Sequence, residues 1–319
     1  MRFSLEVNPF NPVEFLACCG LFEILARFDP TANGWWSEPH EKRFLLESRF
    51  DEDTFLDCLK ETLRDGNSWC GAALSPESES TLDDESQEFK DSDPVMTKGE
   101  DEEEEGEVGA GEGNDIAIIR VVFCLDDQTR TYSLDWWYET LKQDRTIKEK
   151  SGWKMYAGNQ TVERIVRKMT AEIETILSRD TITNLTGLLQ LSTGMTGRFG
   201  FDPRSTRNAL EAGYSPNDLK IPVPTYPVAE LLAGIGANYF FPARTRPGCG
   251  TRSTRGWVED KIFQYALWQT PLPLTLARLA AAGRGVTRDS LIFLHADRVS
   301  RDKYSNFKMA RIGISTTER

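Results

Sequence analysis

The sequence predicts an α+β fold, with mixed antiparallel sheets and packed helices in one main body that carries a long acidic, disordered insertion. Three observations predict it. Residues 2–7 alternate polar and apolar side chains, the period of a half-buried strand. Asn11-Pro12-Val13-Glu14 places a cap residue, a proline at the first helical position and an acid three residues after the cap, which is a helix start. From Glu77 to Asp115 the chain holds 17 acids against two lysines and little that is apolar, so it cannot bury enough surface to offset its ordering entropy.

The first strand places Phe3, Leu5 and Val7 on one face. The helix from Pro12 to about Phe28 carries only Glu14, Glu23 and Arg27 as charges, the last two spaced i,i+4, so almost its whole circumference is buried. Its small patch, Ala17, Cys18, Cys19 and Gly20, implies another backbone pressed against it. Asn33-Gly34 forms a turn, Arg43 to Phe50 a strand, and Asp51 caps a helix to about Arg64 with Phe55, Leu59 and Leu63 at helical spacing. After the acidic run, Ile116 to Leu125 is a strand that hairpins at Asp126-Asp127 through Thr129 to Leu134. Trp136 and Trp137 follow and are read as a core edge rather than a base-stacking platform.

Asn159 caps an amphipathic helix to about Leu177, with Val162, Ile165, Val166, Met169 and Ile173 inward and Arg164, Arg167 and Lys168 outward. Residues 184–216 are rich in Gly, Ser and Thr. Pro227 opens a short apolar helix in which Glu230 is the only charge up to Ala243, and Gly234 and Gly236 allow close packing. Val258 to Gln269 is a strand and Thr275 to Ala282 a helix. Ser290 to His295 and Phe307 to Ile314 are two strands joined by a loop bearing Arg298, Arg301 and Lys303. The chain therefore divides into an N-terminal α+β part (1–76), the acidic insertion (77–115) and a basic C-terminal α+β part (116–319) that shares one core with the first.

The 319 residues carry a net charge of −12, from 50 acids and 38 bases, but the charge is segregated. From Trp153 to the end, 23 bases face 14 acids. Within that half, Arg244, Arg246, Arg252 and Arg255 fall in twelve residues with no acid among them, spaced by Gly, Pro, Ser and Thr. Guanidinium forks, hydroxyls and open backbone N–H groups form a donor set suited to phosphate oxygens. A second cationic loop carries Arg198, Arg204 and Arg207, and Lys154 is interleaved with Trp153 and Tyr156; Arg301 and Lys303 complete the candidate nucleic-acid contacts.

Six cysteines contain no C-x-x-C pair and suggest neither a zinc site nor a disulfide framework, which fits free thiols in a reducing cytoplasm. No signal-peptide layout and no membrane-spanning apolar run is expected. His40 and His295, the latter near Asp297, are the only histidines, and no nucleophile elbow, P-loop, H-E-x-x-H or EF-hand motif occurs. No catalytic, metal or cofactor residues are assigned. A metal-independent endoribonuclease using His295 or His40, and a protein-only adaptor binding through the acidic run, stand as alternatives.

Several strings occur in the order of one known group: NPFNPVEFLACCGLFEI (8–24), SLDWW (133–137), WKMYAGNQ (153–160), RFGFDPRS (198–205), YSPND (214–218) and YPVAELLAGIGANYFFPARTR (226–246). On these the chain resembles the large-subunit-like, or Cas-eight-like, proteins of type I-G (formerly I-U) CRISPR-Cas systems. The resemblance implies a noncatalytic subunit of the CRISPR-RNA-guided surveillance complex Cascade. Such a subunit sits near the 5′ end of the guide RNA, helps find the protospacer-adjacent motif on target double-stranded DNA, and helps admit a separate helicase-nuclease beside the backbone and guide-end-capping subunits. The resemblance transfers no residue role, so the site residues rest on their chemistry.

Overall fold

Two apolar helices packed backbone to backbone form the centre of the structure, a computed structural model. It describes residues 1–65, 68–73, 116–137, 139–140, 147–148, 153–156, 160–178, 182–195, 197–205, 224–241, 256–258, 261–301 and 304–313. The acidic run 77–115 lies outside these residues.

In chain order the strands are β1 (Arg2–Glu6), β2 (Asn33–Trp36), β3 (Arg43–Glu47), β4 (Trp69–Ala73), β5 (Ile116–Leu125), β6 (Gln128–Leu134), β7 (Glu139–Thr140), β8 (Ile147–Lys148), β9 (Thr193–Gly194), β10 (Pro224–Thr225), β11 (Trp257–Val258), β12 (Ile262–Trp268), β13 (Leu272–Pro273), β14 (Leu291–Arg301), β15 (Tyr304–Phe307) and β16 (Arg311–Ile312). The helices are α1 (Pro12–Phe28), α2 (Glu52–Arg64), α3 (Val162–Leu177), α4 (Leu185–Leu189), α5 (Pro227–Phe240) and α6 (Leu274–Ala281).

Every strand pairing described is antiparallel. One sheet runs β1-β3-β2-β13, so the C-terminal part contributes an edge to the N-terminal sheet. A second runs β11-β12-β14-β15, with β16 also on β14, and a third runs β4-β5-β6 across the insertion. Buried residues from both parts belong to one hydrophobic cluster. The fold is α+β.

Local chemistry sets the helix starts. Asn11 Oδ1 accepts from Val13 N at 3.1 Å ahead of Pro12, and Asp51 Oδ1 accepts from Thr54 N at 2.8 Å. Helix α3 starts two residues later than the sequence predicted: Thr161, not Asn159, is the cap, and its Oγ1 accepts from Arg164 N. The predicted strand 258–269 is two strands, β11 and β12, paired with each other through Trp257↔Phe263. The predicted loop after His295 is strand as well. β14 continues to Arg301, with Arg298 opposite Phe307 and Arg301 opposite Tyr304, because β15 supplies a partner edge.

Helices α1 and α5 cross at Gly20 and Gly236. A Cβ on Gly20 would strike Leu232 O, and one on Gly236 would strike Leu16 O. Their N-termini lie at one end, where Glu14 and Glu230 both reach the Asp202 loop, and their C-termini at the other, where Arg27 lies over the Tyr239 ring. Arg27 is the one residue of α1, and Tyr239 the one residue of α5, that is not buried. Among the described residues, no helix is long and apolar enough to cross a membrane.

Candidate nucleic-acid interface

Five aromatic rings of the second half converge on Trp153, which is fully buried. Its ring centroid lies 4.9 Å from Phe263, 5.3 Å from Trp257, 5.7 Å from Phe201 and 6.2 Å from both Phe241 and Phe307. Most of these contacts are edge-on, the arrangement that ring quadrupoles favour. Each neighbour sits on a different piece of chain: Phe263 on β12, Trp257 on β11, Phe201 in the loop 197–205, Phe241 just past α5, and Phe307 on β15.

This junction joins the supports of the sequence-predicted cationic segments. Arg244, Arg246, Arg252 and Arg255 lie outside the described residues, as do Arg207 and Lys303. The flanks of the 242–255 stretch are described, and they touch. Gly256 has a φ of +88°, and a Cβ there would lie 2.9 Å from Phe241 Cδ1 and 2.8 Å from Phe263 Cε2. The described flanks Phe241 and Gly256 therefore meet, and Phe241 lies beside Trp153. The flanks of 206–223 are close in the same way, since the short 3-10 turn Pro203–Ser205 packs on β10.

Lys154 sits next to that junction, half-buried, with Nζ 5.5 Å from the Tyr156 ring centroid. Its segment is bonded to the β14–β15 hairpin: Ser305 N donates to Met155 O at 2.9 Å, and Arg298 Nη2 donates to Lys154 O at 3.2 Å. The hairpin places the Arg301 backbone next to its tip. Lys154, Arg301 and the flanks of the 242–255 stretch are thus built into one structural unit, although they are far apart in sequence.

Arg204 corrects the sequence reading. Its Nε contacts both Asp202 carboxylate oxygens at 3.0 Å, Nη2 meets Asp202 Oδ2 at 2.6 Å, and Nη1 reaches Glu14 Oε1 at 3.1 Å and Gln190 Oε1 at 2.7 Å. The guanidinium also lies 3.5 Å from the Tyr226 ring centroid. Its donors are committed inside, so it serves as the counter-ion of two buried carboxylates and not as a surface phosphate clamp. Burial opposes its charge, but Asp202 and Glu14 more than offset that and raise its pKa.

Arg198 lies beside the same cluster, half-buried. Desolvation lowers its pKa, and the nearby Glu230 and Asp202 carboxylates oppose the shift. Glu230 itself is fully buried and accepts from Phe199 N at 3.2 Å and Asp202 N at 3.0 Å. Burial first, and then the Asp202 charge, push its pKa up to about 8.

This polar cluster is where three of the sequence strings meet, through Asn11 and Glu14, Arg198 to Arg204, and Tyr226 to Glu230. A fourth, SLDWW, packs on it. The Trp136 ring is 4.9 Å from Phe199 and 5.0 Å from Phe201, with Nε1 3.1 Å from where a Gly234 Cβ would be. Trp136 and Trp137 are core residues, as the sequence suggested.

The two histidines lie on separate elements. His40 is exposed in the turn before β3; His295 is half-buried on β14. Burial and the Arg311 charge lower the His295 pKa, while Asp297 opposes them. The Asp297 carboxylate is held by Arg311 through bonds of 2.7 and 3.1 Å. No cluster of three or more His, Cys, Asp or Glu side chains suited to a metal ion occurs among the described residues.

Sequence reasoning missed the role of Trp153 and the internal role of Arg204. No local signal carried either, because Trp153 meets Phe263 and Phe307, and Arg204 meets Glu14, only through tertiary packing. Comparison of the chain with protein-family models, with curated proteins and with solved structures returns no match.

Proposed function

We propose that this chain is a noncatalytic subunit of a CRISPR-RNA-guided Cascade surveillance complex of the type I-G class, held against the sugar-phosphate backbone of guide RNA or target double-stranded DNA near the protospacer-adjacent motif. Its partners on this reading are the backbone and guide-end-capping subunits and the helicase-nuclease whose recruitment it supports, in the cytoplasm and without a cofactor of its own. Arg244, Arg246, Arg252 and Arg255 act as the principal backbone clamps, flanked by Arg198, Arg207, Lys154, Arg301 and Lys303.

The observation that supports this reading is the Trp153 junction. It fixes the flanks of 242–255 against each other and bonds the Lys154 segment to the hairpin that carries Arg301. The four loop arginines are no more than five residues from Phe241 or Gly256 in sequence. A rigid mount reduces the ordering cost of gripping a phosphodiester chain.

The test is target-DNA binding by the assembled complex across a salt series, with the four loop arginines changed to Ala. Affinity should fall, and the dependence of log K on log salt should flatten by roughly one unit for each phosphate contact removed. Unaltered binding across the series would overturn the assignment.

A further inference from the structure

The C-terminal ends of α1 and α5 hold a second arginine cluster that sequence analysis did not assign. In the sequence Glu23 and Arg27 are spaced i,i+4, and Arg278 lies 255 positions away from Glu23. In the structure Glu23 has no exposed surface, and three donor groups converge on its carboxylate. Arg27 Nε meets Oε1 at 2.8 Å, Arg278 Nε meets Oε2 at 3.0 Å, and Arg278 Nη2 reaches both oxygens at 2.5 Å.

The Arg278 fork alone neutralises Glu23, so Arg27 is a surplus charge. Its guanidinium is clamped between two rings, 4.4 Å from the Tyr132 centroid and 4.3 Å from that of Tyr239. Tyr239 is itself fixed, its hydroxyl bonded to Ser133 N and O at 3.0 Å. Arg27 uses only Nε on Glu23, and Arg278 only Nε and Nη2. The Nη groups of Arg27 and Nη1 of Arg278 are not used on that carboxylate, and the two side chains are 29% and 33% exposed.

Arg130 Nε donates to Arg27 O and Arg49 Nη2 to Phe28 O, closing the carbonyl end of α1, where cations are favoured. Arg49 also pairs with Asp126, and Asp29 is occupied by Thr31, Ser48 and the Arg49 backbone. With Asp127 beside Asp126 in the turn, four guanidinium groups and four carboxylates lie around this end, but at Glu23 itself two guanidinium groups, Arg27 and Arg278, meet one carboxylate. Two buried helices that expose only Arg27 and Tyr239 bring these two together at this spot.

We infer that Arg27 and Arg278, oriented by Glu23 and Tyr239, form a binding site for a phosphate group, either free or as part of a nucleic-acid strand. Two preoriented guanidinium edges match a tetrahedral oxyanion, and Glu23, whose oxygens are saturated, holds them without competing for it. The inference stands apart from the loop clamp proposed above.

Titration of the full chain with inorganic phosphate, and separately with short oligonucleotides with and without a 5′-phosphate, tests it by calorimetry. R27K and R278K keep the charge but lose the fork, and near-UV circular dichroism reports their packing. R167A, at an exposed α3 position whose arginine pairs with Glu163 among the described residues, serves as the control. Phosphate binding should weaken at least tenfold in either fork variant and stay unchanged in R167A. Competition by unphosphorylated oligonucleotide would identify a backbone phosphodiester as the ligand, and competition by free phosphate or the 5′-phosphorylated form alone would identify a phosphomonoester. Absence of phosphate binding by the native chain, or equal affinity in a natively packed R278K, would overturn the inference. Loss of DNA binding only on changing the loop arginines would leave the proposed function standing while this site fails.

Discussion

Gly20 of α1 and Gly236 of α5 face each other so closely that a Cβ on either would overlap the backbone of the opposite helix, at Leu232 O and Leu16 O respectively. Neither clash is with a flexible side-chain end, so relief requires the helices to separate. Both helices are almost entirely buried, and separation opens the centre of the core. G20A and G236A should therefore each cost about 3 kcal/mol or more, at the upper range for overpacking. Urea midpoints of the two variants measure this, and a loss under about 0.5 kcal/mol would show that the crossing is looser than described.

Arg204 makes a stability prediction that a surface clamp would not. Asp202 has no exposed surface and Glu14 almost none, and Arg204 is the described cation paired with both. Changing Arg204 to Ala leaves those carboxylates uncompensated, an effect that typically costs about 3–5 kcal/mol for a buried pair. A solvent-facing phosphate contact would change stability by only about 0.5 kcal/mol. Chemical denaturation of R204A separates the two.

How much of this was legible depended on whether the signal was local. The α1 start needed only Asn11, Pro12 and Glu14, and the β5–β6 hairpin needed only its apolar run and Asp126-Asp127. Even the crossing was foreshadowed, since small residues on one face of α1 and Gly236 on α5 each demanded a close neighbour. What pairs with what was not legible. Arg204 had the same sequence context as a loop cation, and only folding brought Glu14 and Asp202 to it. The continuation of β14 to Arg301 depended on β15 arriving as a partner, and strand length set by a partner edge leaves no local trace.

Glu230 predicts a pH dependence of stability. Its folded pKa is about 8 against an ordinary 4.5, so the native state holds a proton that the unfolded chain has released. The stabilisation is complete below about pH 4.5 and is lost as pH rises through the folded value. Other groups bear on the window. His295, whose pKa is lowered, gives the opposite slope below its ordinary 6.5; Asp29 and Asp51, also lowered, act only below 3.8; and Asp135, whose pKa burial raises above 3.8, slopes the same way as Glu230. Between pH 6.5 and 8 Glu230 should dominate, with stability falling by up to about 1.4 kcal/mol per unit. E230Q forfeits one backbone acceptor and is less stable at pH 6.5, but its stability should be flat across that window. An equal slope in E230Q and the native chain would remove Glu230 as the cause.

Trp153 links the fold to the proposed nucleic-acid grip. Replacing it with Ala empties the space among Phe201, Phe241, Trp257, Phe263 and Phe307, and should cost about 3–5 kcal/mol. W153L fills part of that space and is the more informative variant. It removes no cation, so the number of phosphate contacts is unchanged, but the flanks at Phe241 and Trp257 lose the ring that both contact. Target-DNA affinity of a W153L complex should drop about tenfold, equivalent to about 1.4 kcal/mol, while the salt slope stays that of the native complex. Removing the four loop arginines should instead flatten the slope. A W153L complex that is folded and binds with native affinity would show that the aromatic junction supports the core alone and contributes nothing to the presentation of the cationic loop.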